Sequence, residues 1–252
     1  MGGGQVSAAM LIIGDEILSG RTRDANLHWL AARLGEQGIA MREVRIVPDI
    51  EAEIVDALNA LRHRYRYVFT TGGIGPTHDD ITAHCVAAAF GVPLERNEEA
   101  VRLIAERAGK ENLNEARLRM ANVPAGGVLI PNSLGGAPGF RIGNVYVMAG
   151  VPSIMQVMFE AIGPTLDGGI PMLSRTVHCD LPEGTIAGNL GRIQEDFADV
   201  GIGSYPYFRR DRAGVNIVLR CPDRARLEEC AQAVTAMIHA AGGKTAPPDE
   251  AE

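Results

Sequence analysis

Thr70-Thr71-Gly72-Gly73-Ile74-Gly75-Pro76-Thr77-His78-Asp79-Asp80-Ile81-Thr82 is the stretch whose reading decides the fold. The apolar run Tyr67-Val68-Phe69 before it predicts a buried strand, and residues 83–90 after it predict a helix. A strand that empties into glycines and then enters a helix gathers free backbone N–H groups and a helix N-terminus. That arrangement binds anions, phosphate above all. Asp79 and Asp80 stand in the same turn, and a bare carboxylate repels phosphate. A divalent cation shared between the two reconciles them. The stretch lacks the Lys-Ser or Lys-Thr of a P-loop, and His78 stands where a dinucleotide fingerprint needs its third glycine. A purely structural reading competes. Thr77 would cap the helix with Asp80 reaching back to its N–H, and Asp79 would be a first-turn acid.

Working outward, residues 6–13 form a short apolar run bounded by glycines, a buried first strand that feeds the loop 14–20 with its acids Asp15 and Glu16. Asp24 is a fitting N-cap for a helix over 25–37, with Leu27, Leu30, Ala31 and Leu34 at helical spacing and Gly38 as its stop. Residues 39–47 predict a second strand. Asp49 follows Pro48 as a turn residue or N-cap, a helix runs over 50–63, and 65–71 is the third strand. Strand, helix, strand, helix, strand predicts parallel βαβ units. In such sheets ligands gather at the C-terminal strand ends. The loops 14–20 and 71–80 therefore share one edge.

Beyond the central stretch, residues 98–120 read as a charged helical excursion interrupted near Gly109. A short strand over 128–131 leads to a second glycine-rich loop, 132–140, where a ligand can approach the backbone closely. A strand over 144–149 then meets Gly150-Val151-Pro152 and a helix to 166. Residues 167–171 mark a boundary. The pattern beyond it is strand 174–180, helix 185–197, strands 200–208 and 215–220, and helix 223–241, a small α+β unit. The expected domains are 1–169 and 170–241, with 242–252 a disordered tail.

With 252 residues, 46% of them hydrophobic and 22% charged, the chain can bury a sizeable core. A net charge of −7 argues against non-specific nucleic-acid binding. The cluster 62–67 interleaves Arg and Tyr but reads as a helix C-terminus with its favoured cations, and 205–210 reads as a hairpin strand. No run is long enough to span a membrane, and residues 1–5 lack a secretory signal's basic segment, so the cytoplasm is expected. Cys85, Cys179, Cys221 and Cys230 form no Cys-x-x-Cys pair and read as reduced thiols. His78, His84 and Cys85 do not share a helix face as metal ligands would.

Taken together, Thr71-Gly72-Gly73-Ile74-Gly75-Pro76-Thr77-x-Asp79-Asp80-Ile81-Thr82 resembles the signature of the molybdopterin-binding superfamily. Gly14-Asp15-Glu16-Ile17-Leu18-x-Gly20 and Asp24-x-Asn26 look most like two of its branches, the competence/damage-inducible protein A family and the N-terminal domain of eukaryotic FAD synthase. Asn132 with Gly135-x-Ala137-Pro138-Gly139, and Val145-Tyr146-Val147 before Gly150-Val151-Pro152, fit the same pair. Met148-Ala149-Gly150 departs from the commoner Leu-Pro-Gly. The likeness covers about residues 6–166, and the small unit from Leu181 on resembles the continuation in stand-alone bacterial members.

The resemblance implies a three-layer α/β/α fold with a mostly parallel sheet. It implies either pyrophosphatase activity on ADP-ribose or FAD, or binding of molybdopterin with adenylyl transfer. A divalent metal (Mg, Co, Ni or Mn) with potassium accompanies the first. The partner is a small nucleotide or pterin phosphate rather than nucleic acid or membrane, and a homo-oligomer, dimer or trimer, is expected. No nicotinamide-nucleotide amidase segment is expected here. Asp80 takes the position of the essential acid, and Asp49 that of a second one. These are the expected catalytic residues, with Asp79, Asp80 and Asp15 as metal ligands. The expected ligand contacts are Gly14, Asp15, Glu16 and Asn26; Thr71, Gly72, Gly73, Gly75, Thr77 and Thr82; Ser133, Gly135, Gly136, Pro138 and Gly139; and Gly150 with Pro152.

Overall fold

A computed structural model of the protein describes residues 6–209 and 212–245. It falls into two compact units, Met1–Gly169 and Ile170–Glu252. In the first, β1 (Ser7–Ile13) is followed by a single turn α1 (Asp15–Leu18), α2 (Asn26–Glu36), β2 (Ala40–Val47), α3 (Glu51–Arg62), β3 (Tyr67–Thr71) and α4 (Thr82–Phe90). The excursion comprises β4 (Leu94–Arg96), α5 (Glu98–Ala108), α6 (Glu115–Arg119) and β5 (Asn122–Pro124). The unit closes with β6 (Val128–Ile130), β7 (Gly139–Ile142), β8 (Val145–Met148) and α7 (Pro152–Ile162).

The alternation of β1 creates two cores, because successive side chains of a strand point to opposite faces. Ala9, Leu11 and Ile13 pack with Ile54, Leu58 and Leu61 of α3 and with Cys85 and Val86 of α4. Ala8, Met10 and Ile12 pack instead with Leu30 and Leu34 of α2 and with Met155, Met158 and Phe159 of α7. A sheet with both faces covered by helices is the three-layer α/β/α fold, and its central strands β3 and β8 are accordingly buried along their whole length.

The six-stranded sheet has the order β2-β1-β3-β8-β7-β6. The pairs β1–β2, β1–β3 and β3–β8 are parallel, with Ile13 opposite Val47, Ile12 opposite Thr71, and Thr71 opposite Met148. Four strands therefore end at one edge. β7 runs antiparallel to both β8 and β6, with Ile130 opposite Gly139, so the hairpin loop 131–138 opens on that edge too. β1 leads to β2 on one side while β3 lies on the other, which makes the crevice between the ends of β1 and β3 a topological switch point.

The loop 14–20 contains the single turn α1, where the sequence expectation is loop alone, and two further features differ. Gly139 opens strand β7 instead of lying in the loop. A Cβ there would stand 2.4 Å from the Val147 carbonyl oxygen, so this glycine serves strand packing. The excursion also returns as a two-stranded ribbon, β4 with β5. Three-residue strands are too short to display the alternation that would betray them.

The second unit consists of β9 (Leu173–Cys179), α8 (Glu183–Asp196), β10 (Gly201–Arg209), β11 (Arg212–Cys221) and α9 (Arg224–Ala240). Its strands form an antiparallel sheet of order β10-β11-β9. Val177, Ile217 and Leu219 pack against Ile186 and Leu190 of α8 and Leu227 and Val234 of α9. Of the expected tail, Lys244 is held to Asp180 by an N–H donated to the carboxylate at 2.6 Å. Residues 246–252 lie outside the described residues, as do 210 and 211 of the basic-aromatic cluster.

Candidate functional site

The exit of β3 is built from glycines that nothing larger could replace. Gly72 and Gly73 have φ of 101° and 64°. A Cβ on Gly72 would stand 2.1 Å from the Ile13 carbonyl oxygen, and one on Gly73 would stand 2.2 Å from the Thr82 hydroxyl. Gly150, at the exit of β8, packs on Gly72 in turn. Thr82 is fully buried; its hydroxyl donates to the Gly72 carbonyl at 2.9 Å and its N–H to the Gly73 carbonyl at 3.1 Å. Asn26, at the start of α2, donates its amide to the Gly150 carbonyl at 2.7 Å. The Asn26 amide oxygen and the Thr71 hydroxyl are buried with no partner among the described residues. Unpaired buried polar atoms are costly and rare, and they mark a site that something else completes.

Asp80 closes the loop. Its carboxylate accepts the N–H of Gly75 at 2.6 Å, the N–H of Thr77 at 2.7 Å and the Thr77 hydroxyl at 2.5 Å. The back-reaching bond of the capping-box reading is thus present. Helix α4 nevertheless begins only at Thr82, and Ile81 at its N-cap makes no side-chain capping bond. The carboxylate shapes a loop ahead of the helix rather than its end, while the neighbouring Asp79 stays exposed.

The expected acids meet at the ends of β1, β2 and β3. Asp49 accepts the N–H of Asp15 at 3.0 Å, tying the loop after β2 to the loop after β1. Burial pushes the Asp49 carboxyl above the ordinary carboxylate range; the Asp15 N–H opposes this, and the charges of Asp15, Glu16 and Asp79 reinforce it. Among the described residues no cationic side chain counters these charges at Asp49, while the His78 ring stands 3.9 Å from Asp79. The donors are all hard oxygens, which fits a hard divalent cation. Among the described residues no three acids already converge on one point to hold it.

The second glycine loop is organised by Asn132. Its amide donates to the carbonyls of Gly135 at 3.0 Å and Ala137 at 3.2 Å, and its oxygen accepts the Leu134 N–H at 3.1 Å. Gly135 and Gly136 have φ of 82° and 99°. Between this loop and α5 lies a cavity of about 400 Å³ lined by Leu103, Arg107, Asn132, Ser133 and Gly135. Pro138 is buried beneath the loop, whereas Pro152 is the exposed first residue of α7.

Sequence reasoning missed two arginines here. Arg107 of α5 lies along Gly135, its Cδ 3.1 Å from where a Cβ would stand, and Arg119 of α6 donates to the Pro76 carbonyl at 3.4 Å. Nothing in a charged helical run distinguishes such residues from a solvated face. The arginines of 62–67 are otherwise engaged: Arg62 stacks 4.4 Å above Phe90, Arg64 pairs with Glu43 and Arg66 with Asp167. His84 pairs with Glu51, and burial pushes the Cys85 thiol up to about 12. All four cysteines are free and buried. Among the described residues no helix is long and apolar enough to cross a membrane.

Residues 9–168 match the family described as probable molybdopterin binding domain, and residues 171–243 match the FAD synthase middle domain. A protein of Pyrobaculum arsenaticum is 41% identical over 159 residues, covering 61% of this chain and 60% of the relative. A CinA-like protein of Anaeromyxobacter dehalogenans is 40% identical over 149 residues, covering 57% of this chain and 36% of the relative. The chain thus spans less than two thirds of the length of these relatives. The crystal structure of the protein CinA, of unknown function, from Thermoplasma acidophilum is similar with a TM-score of 0.60 at 32% identity. That match covers 63% of this chain and 96% of the other.

Proposed function

This chain belongs to the family of probable molybdopterin binding domains, and on that premise we propose that its first unit is a metal-dependent pyrophosphatase for a nucleotide diphosphate such as ADP-ribose or FAD. The observation that carries the reading is the half-buried Asp49 carboxyl facing the charges of Asp15, Glu16 and Asp79 beside a glycine-built anion loop. The N–H groups of Gly75 and Thr77 are spent on the Asp80 carboxylate, which holds the loop's shape, and the phosphate takes the other N–H groups of the loop after β3. Asp15 and Asp79 take the divalent cation, which when bound polarises the phosphoryl group and neutralises developing charge. Asp49, whose carboxyl holds a proton more readily than an ordinary one, accepts the proton of the attacking water. Water adds to one phosphorus, the P–O bond from it to the bridging oxygen breaks, and AMP is released together with the other monophosphate, ribose 5-phosphate from ADP-ribose or FMN from FAD.

A second reading is supported by Asp80, the acid that the resemblance makes essential. Both its oxygens are engaged by its own loop, as in a binding module that holds a pterin phosphate without turnover. A screen of ADP-ribose, FAD and related diphosphates against Mg²⁺, Mn²⁺, Co²⁺ and Ni²⁺ separates the two. AMP release that stops with chelator supports the pyrophosphatase. Tight molybdopterin binding with no product from any diphosphate supports the binding module and sinks the first reading.

A further inference from the structure

The strand-end site has two electrical halves. The carboxylates of Asp49, Asp15 and Glu16 occupy the ends of β1 and β2, and Asp79, after β3, acts on the same group. None of the loops 14–20, 70–82, 131–139 and 149–152 contains a Lys or Arg. Backbone N–H groups alone hold a phosphate weakly against four nearby negative charges, and a cation strengthens the hold. Arg21 and Arg23 lie on the acidic side, where the Thr22 N–H donates to the Glu16 carbonyl at 3.0 Å.

At the two glycine loops the cations come from the helical excursion. Most of its arginines are spent on neighbours: Arg102 is held between Glu99 and Glu106, Arg96 pairs with Glu115, and Arg117 donates to the Asn112 carbonyl. Arg107 and Arg119 have no carboxylate partner among the described residues. Each stands beside one glycine loop, Arg119 at Pro76 and Arg107 at Gly135. Each is also in the last turn of its helix, where a cation is favoured by the helix dipole. That preference accounts for the charge but not for the Arg107 stem lying along one glycine loop and the Arg119 guanidinium bonding the other.

We propose that Arg107 and Arg119 are the phosphate-neutralising residues of this site, one over each glycine loop, and that together they select a ligand with two phosphate groups over one with a single phosphate. The assignment rests on the reading of the first unit as a nucleotide-diphosphate site. The loops follow β3 and precede β7, two strand spacings apart, about 10 Å. Two long arginine side chains reach inward across that gap to a diphosphate, each forking onto one phosphate. A monophosphate seated at one loop engages only the guanidinium beside it.

The test is calorimetric binding of α,β-methylene-ADP, whose bridging carbon resists cleavage, and of AMP, with Mg²⁺ present. Arg107→Ala and Arg119→Ala are each expected to weaken the diphosphate at least about tenfold, the scale of one charge-assisted contact. Only one of the two should weaken AMP comparably. Arg107→Lys keeps the helix-end charge, so a merely structural residue would be rescued in both stability and affinity, whereas lost bidentate contact leaves affinity low at unchanged melting temperature. Wild-type affinity for the diphosphate in both alanine variants overturns the proposal, as does equal weakening of AMP by both, or failure of the intact protein to bind the diphosphate. Binding without any hydrolysis would sink the pyrophosphatase reading alone.

Discussion

In the first unit, the carboxylates at the sheet edge are answered by backbone N–H groups rather than by arginines or lysines; in the second, charged side chains are spent on one another. Arg175 pairs with Glu228, and Arg226 pairs with Asp199 and Glu229 while stacking 4.1 Å above Phe197. His178 bonds Asn216 at 2.7 Å, and Ser204 bonds Glu183 at 2.5 Å. The glycines differ in the same sense. Gly72 and Gly73 of the β3 exit are wedged against the Ile13 carbonyl and the Thr82 hydroxyl, whereas Gly184, Gly188 and Gly191 of α8 have open space where a Cβ would go. Where charge and space are already settled an element serves the fold, and where they are not it is available for chemistry.

One substitution made in both units puts this contrast under the greatest strain. Gly72→Ala meets a carbonyl oxygen at 2.1 Å in a left-handed conformation and should cost at least ~3 kcal/mol in the denaturant unfolding of the first unit. Gly188→Ala, in the open middle of α8, should stabilise the second unit by about 1 kcal/mol. The same sign at both positions would break the contrast.

Next in size is Asp80→Ala, which removes three hydrogen bonds to one carboxylate and should cost about 2 kcal/mol while abolishing phosphate binding. Asp80→Asn should recover part of the stability, and full phosphate affinity in the alanine variant would show that the loop holds without it. Smaller is Thr82→Val, expected to cost about 1 kcal/mol through the unpaired Gly72 carbonyl, read by the same unfolding assay.

The smallest effect is a pH slope. Asp49 binds its proton more tightly folded than unfolded, so its contribution to stability falls as pH rises from the ordinary carboxylate value through the raised folded one. Asp49→Asn should flatten that part of the profile in chelator. A divalent cation should do the same to the wild type by favouring the ionised carboxylate. An unchanged slope in the variant would place the burden on other acids.

Much of this was legible in the sequence because it rests on local signals. The glycine run between Thr71 and Asp80 and the apolar run of β1 fix the parallel strands, and parallel strands fix the shared edge. The approach of Asp49 to Asp15 was accessible only as a consequence of that topology. The role of Gly139 was hidden because a glycine needed for strand packing looks like one needed for a turn. Arg107 and Arg119 were hidden for another reason: their partners are backbone loops distant in sequence, which leave no trace in helical spacing. The commitment of Asp80 to its own loop was foreseen only as the structural competitor to catalysis.

The most direct test of the account is AMP release from ADP-ribose by the intact chain, titrated with Mn²⁺ and compared with Asp15→Asn/Asp79→Asn. The account predicts cation-dependent release by the wild type and none by the double variant at unchanged melting temperature. Equal release by both proteins, or none from the wild type at any cation concentration, would contradict it.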